Sequence, residues 1–512
     1  MSSSANMYDA EKTVDLEKAV DLESSKSYST TTSQKEGTVD TVDVQSGSVI
    51  EKLQSFATRF QLEVHGIERI PEEEKVDDSL WNAAMWFAAN TVISTFSIGT
   101  LGITIFGMSF WDSLATIIFF SILGMLPVAL LYFRPSVWSS PNDFVSFLVC
   151  WMGLCQHRRC RSTFAYRQRL PPWVGAIVIS VITMIVTLFG YKTVHIYEKW
   201  SWIPTFIIFL IVIARFTMSG NFTARTMGSG RIEAGNVLSF GSAIFDYATG
   251  WASFASDYVI YQPKSTPKTR IFLGIVGGLG FPLMFCMILG AACMTGTLRL
   301  NAANYGDNAV GGLFYSIFIQ DSLHGFGQFC LVVLGLSTVA NNCPNFCSVA
   351  LSVQTVSHHL AKVPRFIWTF IATGVVIGIA IPAYYSFGSF MDNFMNLTGY
   401  WLAIYEGISL LDHFIFPRGY SGYNVDEYNT PSKLPLGLAA LVAFGAGVAS
   451  TVDGMFQVWF TGPIAKLIPG DVGFELAFAF AFAFVTYVAL RSLEQKGFCQ
   501  NLHLIAGFCK DN

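Results

Sequence analysis

Long apolar runs recur along this chain from Trp81 to Leu490, and they constrain its fold more than any other feature. Most of these runs approach the roughly 20 residues that a helix needs to cross a bilayer. Only 13% of the residues are charged, whereas soluble globular proteins carry about 25%, and the mean hydropathy is +0.47. Since the lipid core supplies no hydrogen-bond partners, the backbone has to satisfy itself within helices or closed barrels. The sequence therefore predicts an all-α polytopic membrane protein.

The apolar runs divide into eleven clear spans and one doubtful span. The clear spans are Trp81–Gly107, Phe110–Phe133, Trp173–Gly190, Trp200–Phe216, Gly235–Ser256, Ile271–Thr295, Gln328–Ser357, Phe366–Tyr384, Phe390–Phe416, Leu434–Phe460 and Phe474–Leu490. The doubtful one, Asp143–Cys155, is short for a crossing and would be the third. With twelve spans and a cytosolic amino terminus, most loop lysines and arginines lie on the cytosolic side, as the positive-inside rule requires. Eleven spans would invert that distribution, so the charges predict twelve.

The two ends of the chain are predicted to be tails around one transmembrane region. Residues 1–80 are rich in Ser, Thr, Asp, Glu and Lys, too polar to bury a core, and we expect a disordered cytosolic tail whose lysines and serines could engage ubiquitination or trafficking machinery. The predicted transmembrane region is 81–490, and 491–512 are expected to form a cytosolic tail. The ten cysteines show no zinc-ligand spacing, and the net charge of −4 argues against nucleic acid as a partner.

A cluster of polar residues interrupts the apolar span Gln328–Ser357. Its centre carries two adjacent carboxamides, Asn341 and Asn342, followed by Pro344. Each buried amide requires several hydrogen bonds, and proline deprives a helical carbonyl of its partner. Polar groups retained at such cost usually line a cavity or a pathway. An uncharged amide suits a flat, uncharged ligand that is rich in donors and acceptors.

The first and sixth spans also appear interrupted by small and polar residues. The first contains Asn90, Ser94 and Ser97, and the sixth contains Asp246 and Gly250 among others. Broken helices at matching places in two halves indicate a binding site near the bilayer midplane, between inverted repeats. The two spans are five apart, as a five-plus-five repeat requires. The alternative is ordinary packing of helices through small residues.

Several motifs then carry a family resemblance. They are Arg69–Glu72 with Trp86–Asn90, Phe189–Lys192 with Glu198–Pro204, Gly250-Trp251 with Asp257-Tyr258 and Tyr261–Pro263, the run Asn341–Asn345, and Asp412–Phe416. Together they resemble fungal purine–cytosine permeases of the nucleobase–cation symporter-1 family. The resemblance extends from about Ile67 to Leu490 with one gap.

This resemblance implies a twelve-helix LeuT-type fold with spans one to five and six to ten as inverted repeats. It implies proton-coupled uptake of cytosine, adenine, guanine and hypoxanthine across the plasma membrane, without a cofactor other than the coupling proton. In such permeases the base lies between the first, third, sixth and eighth spans. Carried onto this chain, the site residues are Asn341 and Asn342 as base-reading amides, Pro344 shaping their helix, Ser94 and Ser97 lining the first break, and Trp251 as an aromatic face.

The coupling group is left open among four carboxylates. A proton carrier needs a titratable side chain within or near the membrane, and the candidates are Glu406, Asp257, Asp412 and Asp246. Asp257 and Asp412 could instead be helix-end groups that face water. Sodium-coupled relatives place hydroxyls one turn before the eighth-span amide, and here Ser337 and Thr338 are out of register.

One stretch, residues 134–170, departs from the family pattern. It is too short and too basic for the third helix. Permitted codons for Val137–Val149 and for Cys155–Arg169, read with one shared shift of frame, yield strings that look like the family's second-to-third helix region. We therefore hypothesise an out-of-frame segment, with a divergent loop as the alternative. The remaining functional alternatives are another specificity of the family, such as uracil, allantoin or thiamine, and a non-transporting relic or sensor. An enzyme is the least favoured class.

Overall fold

Helices make up nearly all of the chain that the computed structural model describes. The described residues are 75, 79–131, 173–253, 255–259, 262–263, 266–296, 302–318, 323–356, 358–384, 387–416, 437–457, 459–473 and 485–493. Of the predicted tail 1–80, residues 1–74 and 76–78 lie outside these ranges, as do the predicted third span and most of the tail 491–512. Where they overlap the described ranges, the predicted spans are mainly helical, with two breaks and one early helix end.

In chain order the helices begin with α1 Ser79–Asn90, α2 Ile93–Thr104, α3 Phe110–Leu131, α4 Trp173–Leu188, α5 Tyr191–Ser219, α6 Arg231–Thr249, α7 Ser256–Val259 and α8 Lys268–Thr295. They continue with α9 Ala302–Phe318, α10 His324–Val356, α11 His358–Ala361, α12 Arg365–Tyr384, α13 Phe387–Ile415, α14 Leu438–Gly454 and α15 Pro463–Leu467. Residues 485–493 are also helical. The strands β1 Phe456–Gln457 and β2 Phe460–Thr461 pair antiparallel.

The helices carry the length and the surface that a bilayer requires. Four of them, α3, α5, α8 and α10, are long and apolar enough to cross a membrane, and the bent pair α1–α2 would be a fifth span. Large apolar side chains such as Phe119, Leu273 and Leu441 are about 60% exposed, whereas many serine and threonine side chains are buried. Since 132–172 and 474–484 are not described, the count of twelve spans stays a prediction.

Both predicted helix breaks are present. Helix α1 ends at Asn90, and α2 begins at Ile93 after an extended Val92, with a bend of 52° between the two helices. The sixth span breaks in the same manner, because α6 ends at Thr249 and turns precede α7. Small and hydroxyl-bearing residues at these points leave room for the backbone to leave the helix. The broken-helix prediction is confirmed in both spans.

Helix α8 lies directly against the broken first span. A β-carbon at Gly99 of α2 would lie 1.9 Å from the carbonyl oxygen of Met287, and one at Gly290 of α8 would lie 2.1 Å from that of Phe96. The two helices therefore touch backbone to backbone, as small residues permit in membrane proteins. This crossing fixes the position of α2 and hence of the break.

The predicted span Leu434–Phe460 is wrong at its carboxyl end. Helix α14 stops at Gly454, and the chain continues through the β1–β2 pair and α15 to Gly473; we call residues 455–457 and 459–473 the hairpin segment. Asp471 holds it together, since its Oδ2 accepts bonds from the Phe456 amide at 2.8 Å and from Tyr400 of α13. The Asp471 amide donates to Ser239 of α6 at 2.7 Å. Apolar composition alone could not predict that the helix ends at Gly454 and a hairpin follows.

Helix α9 lies between two predicted spans and was not expected. Its buried face includes Phe314 and Phe318, and the Phe314 ring lies 4.7 Å from that of Phe96 in α2, centroid to centroid. Contact with the first span thus stabilises α9. The sequence did not predict α9 as a membrane span because it is short and polar at its start.

Candidate functional site

The polar cluster of the eighth span lies within the continuous helix α10. Pro344 has no amide hydrogen, so the carbonyl four residues before it loses its helical partner. Side chains reinforce this part of the helix. The Asn345 amide donates from Nδ2 to the Asn341 carbonyl at 3.0 Å, and the Tyr258 hydroxyl of α7 donates to the Pro344 carbonyl at 2.9 Å. The proline region is therefore joined to the sixth span.

Asn341 joins α10 to the break in the first span. Its Nδ2 donates to the carbonyl oxygen of Ala89 at 2.8 Å, in the last turn of α1. The side chain is fully buried, and its Oδ1 accepts no hydrogen bond from the described residues. Asn342 is equally buried. Because an unsatisfied buried amide oxygen costs about 1–3 kcal/mol, Asn341 Oδ1 is a strong candidate to receive a ligand's N–H.

Aromatic rings from both broken spans meet beside this amide. The rings of Trp86 and Trp251 lie edge to face, 5.5 Å apart, and Tyr258 packs on Trp86 at 6.2 Å. The Trp251 indole donates from Nε1 to Asn90 Oδ1 at 3.2 Å. Trp251 thus contacts the residue at which the first span breaks, and Asn90 sets its orientation.

Hydroxyl groups fill the space just beyond the break. Ser94 Oγ lies 2.9 Å from Tyr247 Oη, and Thr95 Oγ1 lies 2.8 Å from the same oxygen. Thr95 Oγ1 also donates to the Asn90 carbonyl at 2.7 Å. All four residues are buried. A phenol of the sixth span therefore holds the first turn of α2.

Two further serines, Ser97 of α2 and Ser337 of α10, bond to the backbone of Ile93 at the start of α2. Ser97 Oγ donates to the Ile93 carbonyl at 2.8 Å, and the Ile93 amide donates to Ser337 Oγ of α10 at 3.1 Å. Of the residues predicted to bind the base, Asn341, Ser94 and Trp251 all meet at the first break, with Pro344 one turn from Asn341. Ser97 lies one turn farther along α2. Their role toward a ligand stays a prediction.

The four candidate coupling carboxylates lie in three separate places. Glu406 of α13 is fully buried, and its Oε1 accepts from Thr249 of α6 while Oε2 has no partner among the described residues. Asp246, one turn before Thr249 on α6, interacts electrostatically with Glu406. These two carboxylates share the α6–α13 interface.

The other two carboxylates are near cations. Asp257 hydrogen bonds to Ser348 and interacts with the charge of Arg365. Asp412 accepts from the Tyr487 hydroxyl at 2.5 Å, and its Oδ1 lies 3.9 Å from Arg491 Nε. Both carboxylates therefore join helices through ionic or polar contacts. In the described part of the chain, no three His, Cys, Asp or Glu side chains come together as metal ligands would.

Sequence reasoning missed several residues of this region, above all Glu198. It lies on α5 and is 1% exposed, and neither carboxylate oxygen has a hydrogen-bond partner among the described residues. Its charge acts on Tyr258 and on Cys343 of α10, which places it toward the polar cluster. The predicted fifth span began at Trp200, whereas α5 begins at Tyr191. Had the earlier start been recognised, a carboxylate inside a span would have been evident.

Comparisons with known proteins agree with this arrangement. A family model described as "Permease for cytosine/purines, uracil, thiamine, allantoin" matches residues 69–132 and 164–467. The purine-cytosine permease fcyB of Emericella nidulans is 45% identical over 473 residues, covering 88% of this chain and 92% of the relative. The purine-cytosine permease FCY21 of Saccharomyces cerevisiae is 41% identical over 491 residues, covering 91% and 92%.

A solved structure shares the fold. Mhp1, a nucleobase-cation-symport-1 family transporter solved in a closed conformation with bromovinylhydantoin bound, aligns with a TM-score of 0.60 at 13% identity. The alignment covers 85% of this chain and 96% of Mhp1. At that identity the likeness shows the fold alone. Residues 133–163, which the family model leaves unmatched, overlap the segment 134–170 that departs from the pattern.

Proposed function

The chain belongs to the family of permeases for cytosine and purines, uracil, thiamine and allantoin, and from that premise we propose that it takes up cytosine and purine bases together with protons. It is an integral multi-pass membrane transporter with a LeuT-type fold, not an enzyme. The proposed substrates are cytosine, adenine, guanine and hypoxanthine. We place the transport at the plasma membrane and assign it to alternating access between the two sides.

One observation carries the substrate proposal. Asn341 donates one N–H to the Ala89 carbonyl and has a buried acceptor, Oδ1, without a partner among the described residues, where the broken first span meets α10. Amides pair well with the edges of bases, and stacking on a ring such as Trp251 contributes about 1–3 kcal/mol per base. The relatives at 41–45% identity are named purine-cytosine permeases, which supports these bases over other compounds of the family.

Competition experiments test the substrate class. In cells that express the full chain, unlabelled adenine and hypoxanthine should reduce uptake of labelled cytosine, whereas uracil, allantoin and thiamine should not. Equal competition by uracil would instead assign the chain another specificity of the family.

Proton coupling is proposed for Glu406. Its carboxyl group is buried between α13 and α6, and one of its two oxygens accepts no hydrogen bond from the described residues. Helix α6 also carries Tyr247 and ends at the sixth-span break, so a change of charge at Glu406 would act on the helix that builds the site. Uptake should rise when the external medium is made acidic, stop when a protonophore is added, and be unaffected by replacing sodium. Uptake that follows sodium would contradict proton coupling.

A second candidate, a sensor or relic that does not transport, is favoured by the unmatched residues 133–163. It predicts specific binding of cytosine to the purified chain without uptake into cells. For the tail 1–80 we retain the proposal of ubiquitination or trafficking partners, which replacement of its lysines would test through surface abundance.

A further inference from the structure

The hairpin segment exposes its large apolar side chains and buries a charged one. Trp459 and Leu467 are 66% and 72% exposed, and Phe456 and Phe460 are 47% and 40% exposed. Asp471, by contrast, is 2% exposed. The rings of Trp459 and Phe460 are neighbours, with centroids 6.3 Å apart. Soluble proteins seldom expose so many large apolar side chains side by side, so the tip of this segment suits an apolar medium better than water.

Hydrogen bonds on the buried side hold the segment in this orientation. Gln457 Nε2 donates to Asp471 Oδ2 at 3.1 Å and to Tyr400 Oη at 2.7 Å. Successive residues of a strand point to opposite faces, and Phe456 is exposed where Gln457 is buried. The amide of Gly462 closes the hairpin by donating to the carbonyl of residue 455 at 2.8 Å. The apolar side chains therefore cannot turn inward unless these bonds break.

The exposed apolar residues continue the outer surface of α14. Leu441, Val448 and Val452 of this helix are 62%, 41% and 37% exposed, at spacings that place them on one side of a helix. Helix α14 has 17 residues and rises about 25 Å, close to the roughly 30 Å of the hydrocarbon core. A helix of that length that starts at one boundary of the core ends near the other. Phe456 and Trp459 follow directly, at the level of the lipid headgroups.

We propose that the hairpin segment is an interfacial anchor, with Trp459 and Phe460 inserted between the phospholipid headgroups and the first carbons of the acyl chains. Aromatic rings are enriched at this level of the bilayer. Exposed Lys466, beside Leu467 in α15, suits a lipid phosphate, since a lysine can lay its stem along apolar surface and keep its charge at the headgroups. With the predicted twelve spans, the segment faces the outer leaflet.

The anchor is joined to the helix that carries the second break. A β-carbon at Gly235 of α6 would lie 2.4 Å from the carbonyl oxygen of Pro469, so the segment and α6 touch backbone to backbone. The Asp471 amide adds its bond to Ser239, one turn farther along α6. Lipid contact at the tip therefore fixes the depth at which α6 begins. This inference does not depend on which substrate the chain transports.

Photoactivatable phospholipids test the anchor on the unaltered full-length chain in phosphatidylcholine nanodiscs. One probe carries a diazirine at the glycerol end of an acyl chain, and the other carries it at the methyl end. Mass spectrometry then identifies the labelled peptides. We expect the shallow probe to label the peptide with Trp459 and Phe460 at least about fivefold more than the deep probe does. The peptide with Leu441 and Val448 should show the opposite preference.

Two substitutions at one position provide the variant and its matched control. Trp459→Asp places a charge at the tip and should reduce labelling by the shallow probe at least about fivefold, whereas Trp459→Tyr keeps an interfacial ring and should retain it. If Trp459→Asp fails to fold, labelling of the unaltered chain decides.

Three results would overturn the anchor. They are background labelling of the hairpin segment by both probes, stronger labelling of it by the deep probe, and cross-links between the hairpin segments of two copies in place of lipid. Because no base is added, the outcome is independent of whether the chain takes up cytosine.

Discussion

The two polar atoms of the Asn341 carboxamide have different roles: the nitrogen bonds to the protein, and the oxygen is proposed to bind the ligand. Its nitrogen holds the last turn of α1, and its oxygen is left without a donor among the described residues. Asn341→Ala should reduce cytosine uptake at least about tenfold, because it removes both the bond to the last turn of α1 and a buried acceptor. The measurement is the initial rate of uptake, normalised to protein at the cell surface.

Gln354→Ala provides the control for that variant. Gln354 is on the same helix, is also buried, and also donates an amide to a backbone carbonyl, that of Val363 at 2.9 Å. It is far along α10 from the break, so its loss should lower stability without changing the affinity for bases. Normal affinity of Asn341→Ala for every base would refute the site assignment.

Glu406 is expected to link uptake to external pH. Glu406→Gln keeps the shape of the side chain and can still bond to Thr249, but it cannot exchange a proton. The variant should bind cytosine yet lose the acceleration by external acid, which uptake measured between about pH 5 and 8 would show. Asp412→Asn is the comparison, since Asp412 already contacts Arg491 and Tyr487. If Asp412→Asn instead abolishes the pH response and Glu406→Gln retains it, the coupling role moves to Asp412.

A site residue could be predicted from the sequence when its type is rare within an apolar membrane span. Asn341, Pro344 and Glu406 are polar or helix-breaking within apolar runs, so composition singles them out. The roles of Tyr247 and Asn90 depend on partners more than 150 positions away in the sequence. Tyr247 bonds to Ser94 and Thr95, and Asn90 accepts from Trp251. No local pattern reveals such pairings, because they depend on how the spans pack.

The crossing of α2 and α8 leaves no space for a side chain at Gly99 or Gly290. Gly290→Ala would place a β-carbon 2.1 Å from the Phe96 carbonyl oxygen, so the backbones would have to separate. We expect a loss of at least about 1–3 kcal/mol in stability and a lower melting temperature in detergent. Gly277→Ala, on the same helix but with nothing within 4 Å, should leave the melting temperature unchanged or raise it slightly. Equal melting temperatures for the two variants would contradict the close contact.

The hairpin segment depends on one carboxylate. Asp471→Ala would leave the amides of Phe456 and Gly473 and the Tyr400 hydroxyl without their acceptor. Hydrogen exchange of the segment in the purified chain should accelerate at least about tenfold. Asp453→Ala, an exposed aspartate at the end of α14, should leave the exchange unchanged. Unchanged exchange in Asp471→Ala would show that other contacts hold the segment.

The elements differ in how far the sequence predicts them. Apolar runs near 20 residues identify the crossings and, with Gly and Ser inside them, the two breaks. They do not separate α14 from the hairpin segment, because Phe456, Trp459 and Phe460 continue the apolar composition. The chain turns there because of Asp471, whose partners Tyr400 and Ser239 belong to other helices.

For the molecule as a whole, residues 133–163 decide whether the site is complete. The family model matches the chain on both sides of them but not within them, and the resemblance of the motifs implies a substrate-contacting third helix there. Replacing this segment with the corresponding residues of fcyB should raise cytosine uptake above that of the unaltered chain. Sequencing the mature transcript across the codons for Phe133–Pro172 is the companion measurement. Equal uptake by the two proteins would mean that the native segment suffices.

The bare contact between α2 and α8 has a mechanical consequence. Where Gly99 and Gly290 bring backbone against backbone, there are no side-chain rotamers to exchange, so the two helices have a single way to fit. A transporter that opens alternately to the two sides of the membrane needs at least one helix interface with two stable arrangements. We expect such an interface where long side chains can change partners, as between α6 and α13 at Thr249 and Glu406. The α2–α8 pair is then expected to move as one unit.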